Sequence, residues 1–172
     1  LSHVQAGPAN LYWKENGLRV DSSRSWTSIA SSSDGTKLVA VALNRHIYTS
    51  SDSGATWTPN DNLGKKEWVS VASSSDGTKL AAATAGGYIY TSSDSGATWT
   101  ERTGMGVHDW RAMSSSSDGT NLVLGGDNTY VYTSSDSGAT WTERTAVGTH
   151  NWTSFAAAAD GSKVIGSAKG GE

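Results

Sequence analysis

"YTSSDSGATWT" occupies residues 48–58, and the same eleven letters return at 90–100 and 132–142, 42 residues apart each time. The period reaches beyond the phrase. Trp26, Trp68, Trp110 and Trp152 keep it, and so do Asp34, Asp76, Asp118 and Asp160. Nothing is inserted or deleted between units, so neighbouring units are expected to meet through equivalent contacts. A fixed period of this length marks an array of one small supersecondary unit.

Turn signals divide each unit into four short runs. "WTSIAS" at 26–31 is followed by "SSDGTK", whose Asp34-Gly35 pair favours a hairpin because Gly accepts positive φ and Asp can cap turn amides. "LVAVA" at 38–42, a turn over Leu43 to Arg45, and "HIYTS" at 46–50 come next, and the opening phrase supplies a second turn and a last run, "TWT" at 56–58. Four strands in 42 residues is the arithmetic of a propeller blade. A helical repeat fits poorly, since recurrent Gly, Ser and Thr disfavour helix interiors and the apolar spacing has no sustained 3.6-residue period.

Composition agrees with an all-β fold whose sheets are covered on both faces. The 172 residues include 20 Gly, 8 Trp, a single Phe and no Cys, and are otherwise rich in Ser, Thr and Ala. Small apolar residues in "LVAVA", "LAAAT" and "LVLGG" suit a sheet packed on two sides, and Ile29, Val71, Met113 and Phe155 hold one equivalent core position in the first strands. Gly86-Gly87 and Gly125-Gly126 read as sites of tight connection or close backbone approach. Thirteen Lys and Arg against 16 Asp and Glu, without a basic cluster, argue against nucleic acid as a partner. No apolar run approaches the roughly 18 residues of a membrane span, and the opening LSHVQAGPAN lacks the pattern of a secretion signal, as a processed or trimmed chain would. Without Cys there is neither disulfide nor thiolate metal site, and no phosphate loop, zinc motif or nucleophile elbow is present. No cofactor is expected.

The S-x-D-x-G-x-T-W phrase, at Ser50–Trp57, Ser92–Trp99 and Ser134–Trp141, resembles the Asp-box, or bacterial neuraminidase repeat. The resemblance covers residues 26–168. It implies a β-propeller in which the box caps the hairpin between the third and fourth strands of a blade. It also implies structural roles for Asp52, Asp94 and Asp136 in turn hydrogen bonds, and for Trp57, Trp99 and Trp141 packed beneath them.

The ends set the expected blade count. Residues 152–158 and 163–168 read as the first two strands of a last unit, and "NLYWKENGLRVD" at 10–21 as a degenerate third and fourth strand with its turn at Glu15 to Gly17. Joining them would make one domain over residues 1–172, a four-bladed propeller whose fourth blade is closed by N- and C-terminal strands. A strand-exchanged homo-oligomer closing a larger ring and an open piece of a longer propeller are the alternatives.

Function should lie where the units differ, in the connections at 59–67, 101–109 and 143–151. Each ends against a Trp, giving Glu67-Trp68, His108-Asp109-Trp110 and His150-Asn151-Trp152. Aromatic rings beside hydrogen-bonding groups are what a sugar ring requires, so Trp68, His108, Asp109, Trp110, His150, Asn151 and Trp152 are candidate ligand contacts for a glycan or polysaccharide. Trp residues recurring at a fixed blade position, here Trp26, Trp68, Trp110 and Trp152, are more often wedges between neighbouring sheets than exposed platforms. Asp-box proteins also include sialidases and other glycoside hydrolases, but Glu101-Arg102 recurs as Glu143-Arg144, which fits a rim pair better than one asymmetric catalytic centre. A lectin-like, non-catalytic module is therefore the leading expectation, with a protein-binding scaffold next. Resemblance alone favours an extracellular location. Asn151-Trp152-Thr153 also matches a glycosylation acceptor pattern.

Overall fold

The computed structural model describes residues 3–6, 11–14 and 25–170. It opens with an antiparallel pair, β1 (His3–Ala6) and β2 (Leu11–Lys14). Three antiparallel meanders follow, and each is a blade. The first comprises β3 (Trp26–Ser31), β4 (Leu38–Arg45), β5 (Ile47–Ser50) and β6 (Thr58–Pro59). The second comprises β7 (Lys66–Ser73), β8 (Leu80–Thr84), β9 (Ile89–Ser92) and β10 (Thr100–Arg102). The third comprises β11 (Trp110–Ser115), β12 (Leu122–Gly126), β13 (Val131–Ser134) and β14 (Thr142–Arg144). A last hairpin joins β15 (Asn151–Ala157) and β16 (Val164–Lys169).

Sheets pack face to face, and this explains the small side chains. Every residue of β8 and β12 is buried. Val39, Val41 and Ile47 of the first blade meet Trp68, Val71 and Leu80 of the second, and Ala83 and Ile89 of the second meet Trp110, Met113 and Leu124 of the third. Position in the row decides burial at equivalent residues: Val71 is 5% and Met113 8% exposed, whereas Ile29 is 53% exposed. Among the described residues, no sheet covers the Ile29 side of the first blade.

Backbone hydrogen bonds join the blades at both ends. At the end carrying the Asp-Gly turns, Ser33 N donates to Ser75 O (2.7 Å), Ser75 N to Ser117 O (2.6 Å) and Ser117 N to Ala159 O (2.8 Å). Lys37 lies over Gly77 there, so a Cβ on that glycine would stand 2.8 Å from the lysine stem, while Lys37 Nζ continues to Ser95 Oγ (3.1 Å). At the opposite end, Arg45 pairs with Lys66, Gly87 with His108 and Thr129 with His150, one register advanced by the repeat length each time.

The repeated phrase forms the third-to-fourth-strand turn three times over. Ser92 Oγ donates to Asp94 Oδ1 (2.7 Å) and accepts from Gly96 N (2.9 Å), while Thr98 N and Oγ1 donate to the two Asp94 oxygens (2.8 and 2.6 Å). The same bonds form around Asp52 and Asp136. These donors, led by the Thr hydroxyl, hold Asp52, Asp94 and Asp136 at about 2, against roughly 3.9 for a free Asp. Their contribution to stability is thus complete above about pH 4 and is lost as pH falls through 2. Asp94→Asn, which removes the titrating group, is expected to flatten this acid limb in denaturant titrations run from pH 5 to 2. An unchanged slope would show that the turn does not set acid stability.

Closure differs from expectation. Among the described residues β16 pairs only with β15, and β2 pairs with β1, a strand the sequence reading did not identify. The two lie four residues apart across Gly7-Pro8-Ala9-Asn10, so their pairing closes a far shorter loop than pairing with β16 would. The expected N-terminal turn and last strand, residues 15–21, lie outside the described residues.

Candidate functional site

The blade entrances carry the candidate residues, each beside the preceding blade's second-to-third-strand hairpin. Trp68 and Trp110 are both 0% exposed. Their indoles are wedges between sheets, set edge-on against Tyr90 (5.1 Å) and Tyr132 (5.3 Å) of their own blades, and neither offers a face to a sugar. Trp110 Nε1 donates to Gly87 O (3.0 Å), and half-buried Trp152 makes the same bond to Thr129 O (2.9 Å). The buried Trp68 Nε1 has no partner.

The histidines are engaged as well. His108 lies against Trp110 (4.8 Å) and Tyr132 (5.8 Å), and its Nε2–H donates to Met105 O (2.9 Å). His150 lies 5.2 Å from Trp152 and donates to Val147 O (2.8 Å). Asp109 and Asn151 remain exposed, with Asn151 Oδ1 accepting from Asn128 N (2.8 Å) and Asp109 O from Asp127 N (2.9 Å). The structure therefore groups each His with its Trp and leaves the neighbouring Asp or Asn at the surface. The three sets stay on separate blades.

Two features of this end were not read from sequence. Every first strand bulges after its Trp, at Thr27, Val69, Arg111 and Thr153. Thr, Val and Arg at one repeat position was the available signal, because the bulged residue leaves the regular ladder and meets different surroundings in each unit: Thr27 donates to Trp68 O (2.8 Å), whereas Val69 packs on the core. The bulge in the third blade presents Arg111, whose Nε and Nη2 donate to Asp127 Oδ2 (2.9 and 2.6 Å). Their side-chain hydrogen bond raises the guanidinium pKa further.

A cleft of about 290 Å³ opens on the second blade among Lys66, Glu67, Gly86, Tyr88, Tyr90 and Glu101. Lys66 Nζ sits 5.3 Å from the centre of the Tyr90 ring. Burial, followed by the charge and hydrogen bond of Glu101, pushes the Tyr90 hydroxyl up to about 12. The described residues contain no cluster of three or more His, Asp or Glu able to hold a metal ion. Among the described residues no helix is long and apolar enough to cross a membrane.

The sequence matches no protein-family model and no curated protein sequence. Solved structures are similar. YCF48 bound to D1 peptide superposes with a TM-score of 0.60 at 18% identity, covering 75% of this chain and 44% of that one. A nidogen/laminin complex gives 0.65 at 15% identity, covering 83% and 56%. The GH74 xyloglucanase from Xanthomonas campestris gives 0.59 at 16% identity, covering 77% and 24%. This chain thus spans between 24% and 56% of the length of the three. Such identities speak for architecture alone, and together with the three meanders they show that the chain has the β-propeller fold.

Proposed function

We propose that this chain is a non-catalytic binding unit of the Asp-box type, and that its partner is a polypeptide held where the second-to-third-strand hairpins and the blade connections meet. One observation carries the reading. Leu43, Val107 and Val147, at 39%, 53% and 52% exposure, are large apolar side chains left open at that end. They stand at the same end as Asp109, Arg111, Asp127 and Asn151. Exposed apolar groups set among hydrogen-bonding ones are the composition of a protein interface. A glycan read by Trp68 and Trp110 would instead need open rings, and both are buried. The hydrogen-bonded turns around Asp52, Asp94 and Asp136 support membership of the Asp-box class. The neighbours include one bound to a peptide and one in a protein complex. Catalysis is disfavoured by repetition: Glu143 accepts from the Tyr132 hydroxyl (2.8 Å), and Glu101 is set beside Tyr90 in the same way.

A displayed random-peptide library panned on the purified chain, with a glycan array in parallel, tests this. Enriched peptides are expected, with binding weakened about tenfold or more, or about 1.4 kcal/mol, by Val107→Asp or Leu43→Asp at unchanged thermal midpoint. Selective, competable glycan binding without peptide enrichment would overturn it.

A further inference from the structure

The repeat supplies its own comparison. Position 108 of the third blade and 150 of the last hairpin hold His, and each imidazole rests on the first-strand Trp while donating to a carbonyl three residues before it. Position 66 of the second blade holds Lys. The aromatic frame beneath is unchanged: Trp68 and Tyr90 meet at 5.1 Å and 72°, as Trp110 and Tyr132 meet at 5.3 Å and 87°. A ring seat is therefore built in the second blade without a ring of its own. The cleft beside Lys66 opens at this place.

We infer that this cleft receives an imidazole ring presented by a partner, namely a histidine side chain of the bound polypeptide. This rests on the polypeptide reading above and adds the chemistry of one anchor. The Tyr90 ring, 3% exposed beneath Lys66, would meet the incoming ring once Lys66 withdraws, in the tilted contact that Tyr132 makes with His108 at 5.8 Å. Leu63 is the repeat counterpart of Met105, whose carbonyl accepts from His108, so its carbonyl is the equivalent acceptor for an incoming Nε2–H. Glu67 and Glu101 favour the protonated ring. Lys66 is a flexible, partly exposed side chain resting on Tyr90, and withdrawing it into solvent uncovers the seat. Gly86 and Gly87 keep the opposite wall low.

The probes are free imidazole, the tripeptide Gly-His-Gly and, as a control for simple cation attraction, Gly-Lys-Gly, each titrated into the isotope-labelled chain by NMR. Imidazole and Gly-His-Gly are expected to give saturable shifts at the amides of Gly86, Gly87 and Tyr90. Lys66→His should abolish them, because its own ring fills the seat, and Lys66→Ala should retain them. His at the equivalent position 108 shows that this substitution is compatible with the blade. Equal shifts with Gly-Lys-Gly, retained binding in Lys66→His, or no saturable shift up to tens of millimolar imidazole would each overturn the proposal. Free imidazole has no peptide backbone, so this result and the library result can fail separately.

Discussion

Trp110→Ala is expected to destabilise the fold by about 3–5 kcal/mol, the range for emptying a large aromatic site in a packed core. The indole is 0% exposed, lies between the second and third blades, and packs with Ile89, Met113 and Leu124. Neighbouring sheets are tied by backbone hydrogen bonds at both ends and cannot collapse freely into the space. Replacement by Phe separates the ring from its hydrogen bond. Trp110→Phe leaves the half-buried Gly87 carbonyl with only the longer bond from His108 N, 3.4 Å, and a lost hydrogen bond of this kind costs about 0.5–1.5 kcal/mol. Trp68→Phe removes a buried N–H that has no partner. It is therefore expected to cost about 1 kcal/mol less than Trp110→Phe when both are measured by urea unfolding. Equal losses would show that the Trp110 hydrogen bond contributes nothing net.

Gly96→Ala is expected to cost about 2–5 kcal/mol from two sources. The residue sits at φ +87°, where a Cβ costs about 1–2 kcal/mol. That Cβ would also stand 2.8 Å from Thr49 Cγ2 of the preceding blade and 3.3 Å from Leu80 Cδ1, an overpacking worth about 1–3 kcal/mol. Gly54→Ala shares the positive φ and a contact within its own blade but lacks the contact with a neighbouring blade. Gly54 has φ +83° with no neighbouring blade against it among the described residues, and its nearest neighbours are Leu38 Cδ1 at 3.1 Å and its own Trp57. The Gly96 variant should lose at least about 1 kcal/mol more than the Gly54 variant in the same denaturation assay. If both lose the same, the turn glycine answers to local conformation alone.

The blade was legible in sequence because its determinants are local. Asp94 bonds residues no more than four positions away, and Gly77 combines a positive φ with a sharp turn, so spacing alone exposes both. The role of Lys37 was not legible. Its Nζ reaches Ser95, 58 residues along the chain, and nothing in "DGTK" distinguishes an inter-blade strut from a solvated lysine. The candidate site was legible in part. Trp68 and Trp110 were identified by position, but periodicity cannot separate a wedge from a platform, and their burial depends on the flanking sheets. His108 was singled out beside its Trp, yet its engagement depends on Tyr132 and Met105. Closure by residues 10–21 was inferred from counting strands, a method that cannot see β1 competing for the same partner.

The rung formed by Ser33, Ser75, Ser117 and Ala159 uses main-chain atoms only, so it carries no information about which blade stands beside which. Neighbour identity is set instead by chain connectivity, since adjacent units are tethered by short connections and reach each other first, and by side-chain contacts between blades such as Lys37 to Ser95. The side chains are less indifferent than the rung. A gene encoding the second and third units in reverse order would keep every rung but set Ala83 where Gly125 stands, and a Cβ there would meet Trp152 at 2.7 Å and Phe155 at 2.9 Å, so the order of the units is written into single methyl groups.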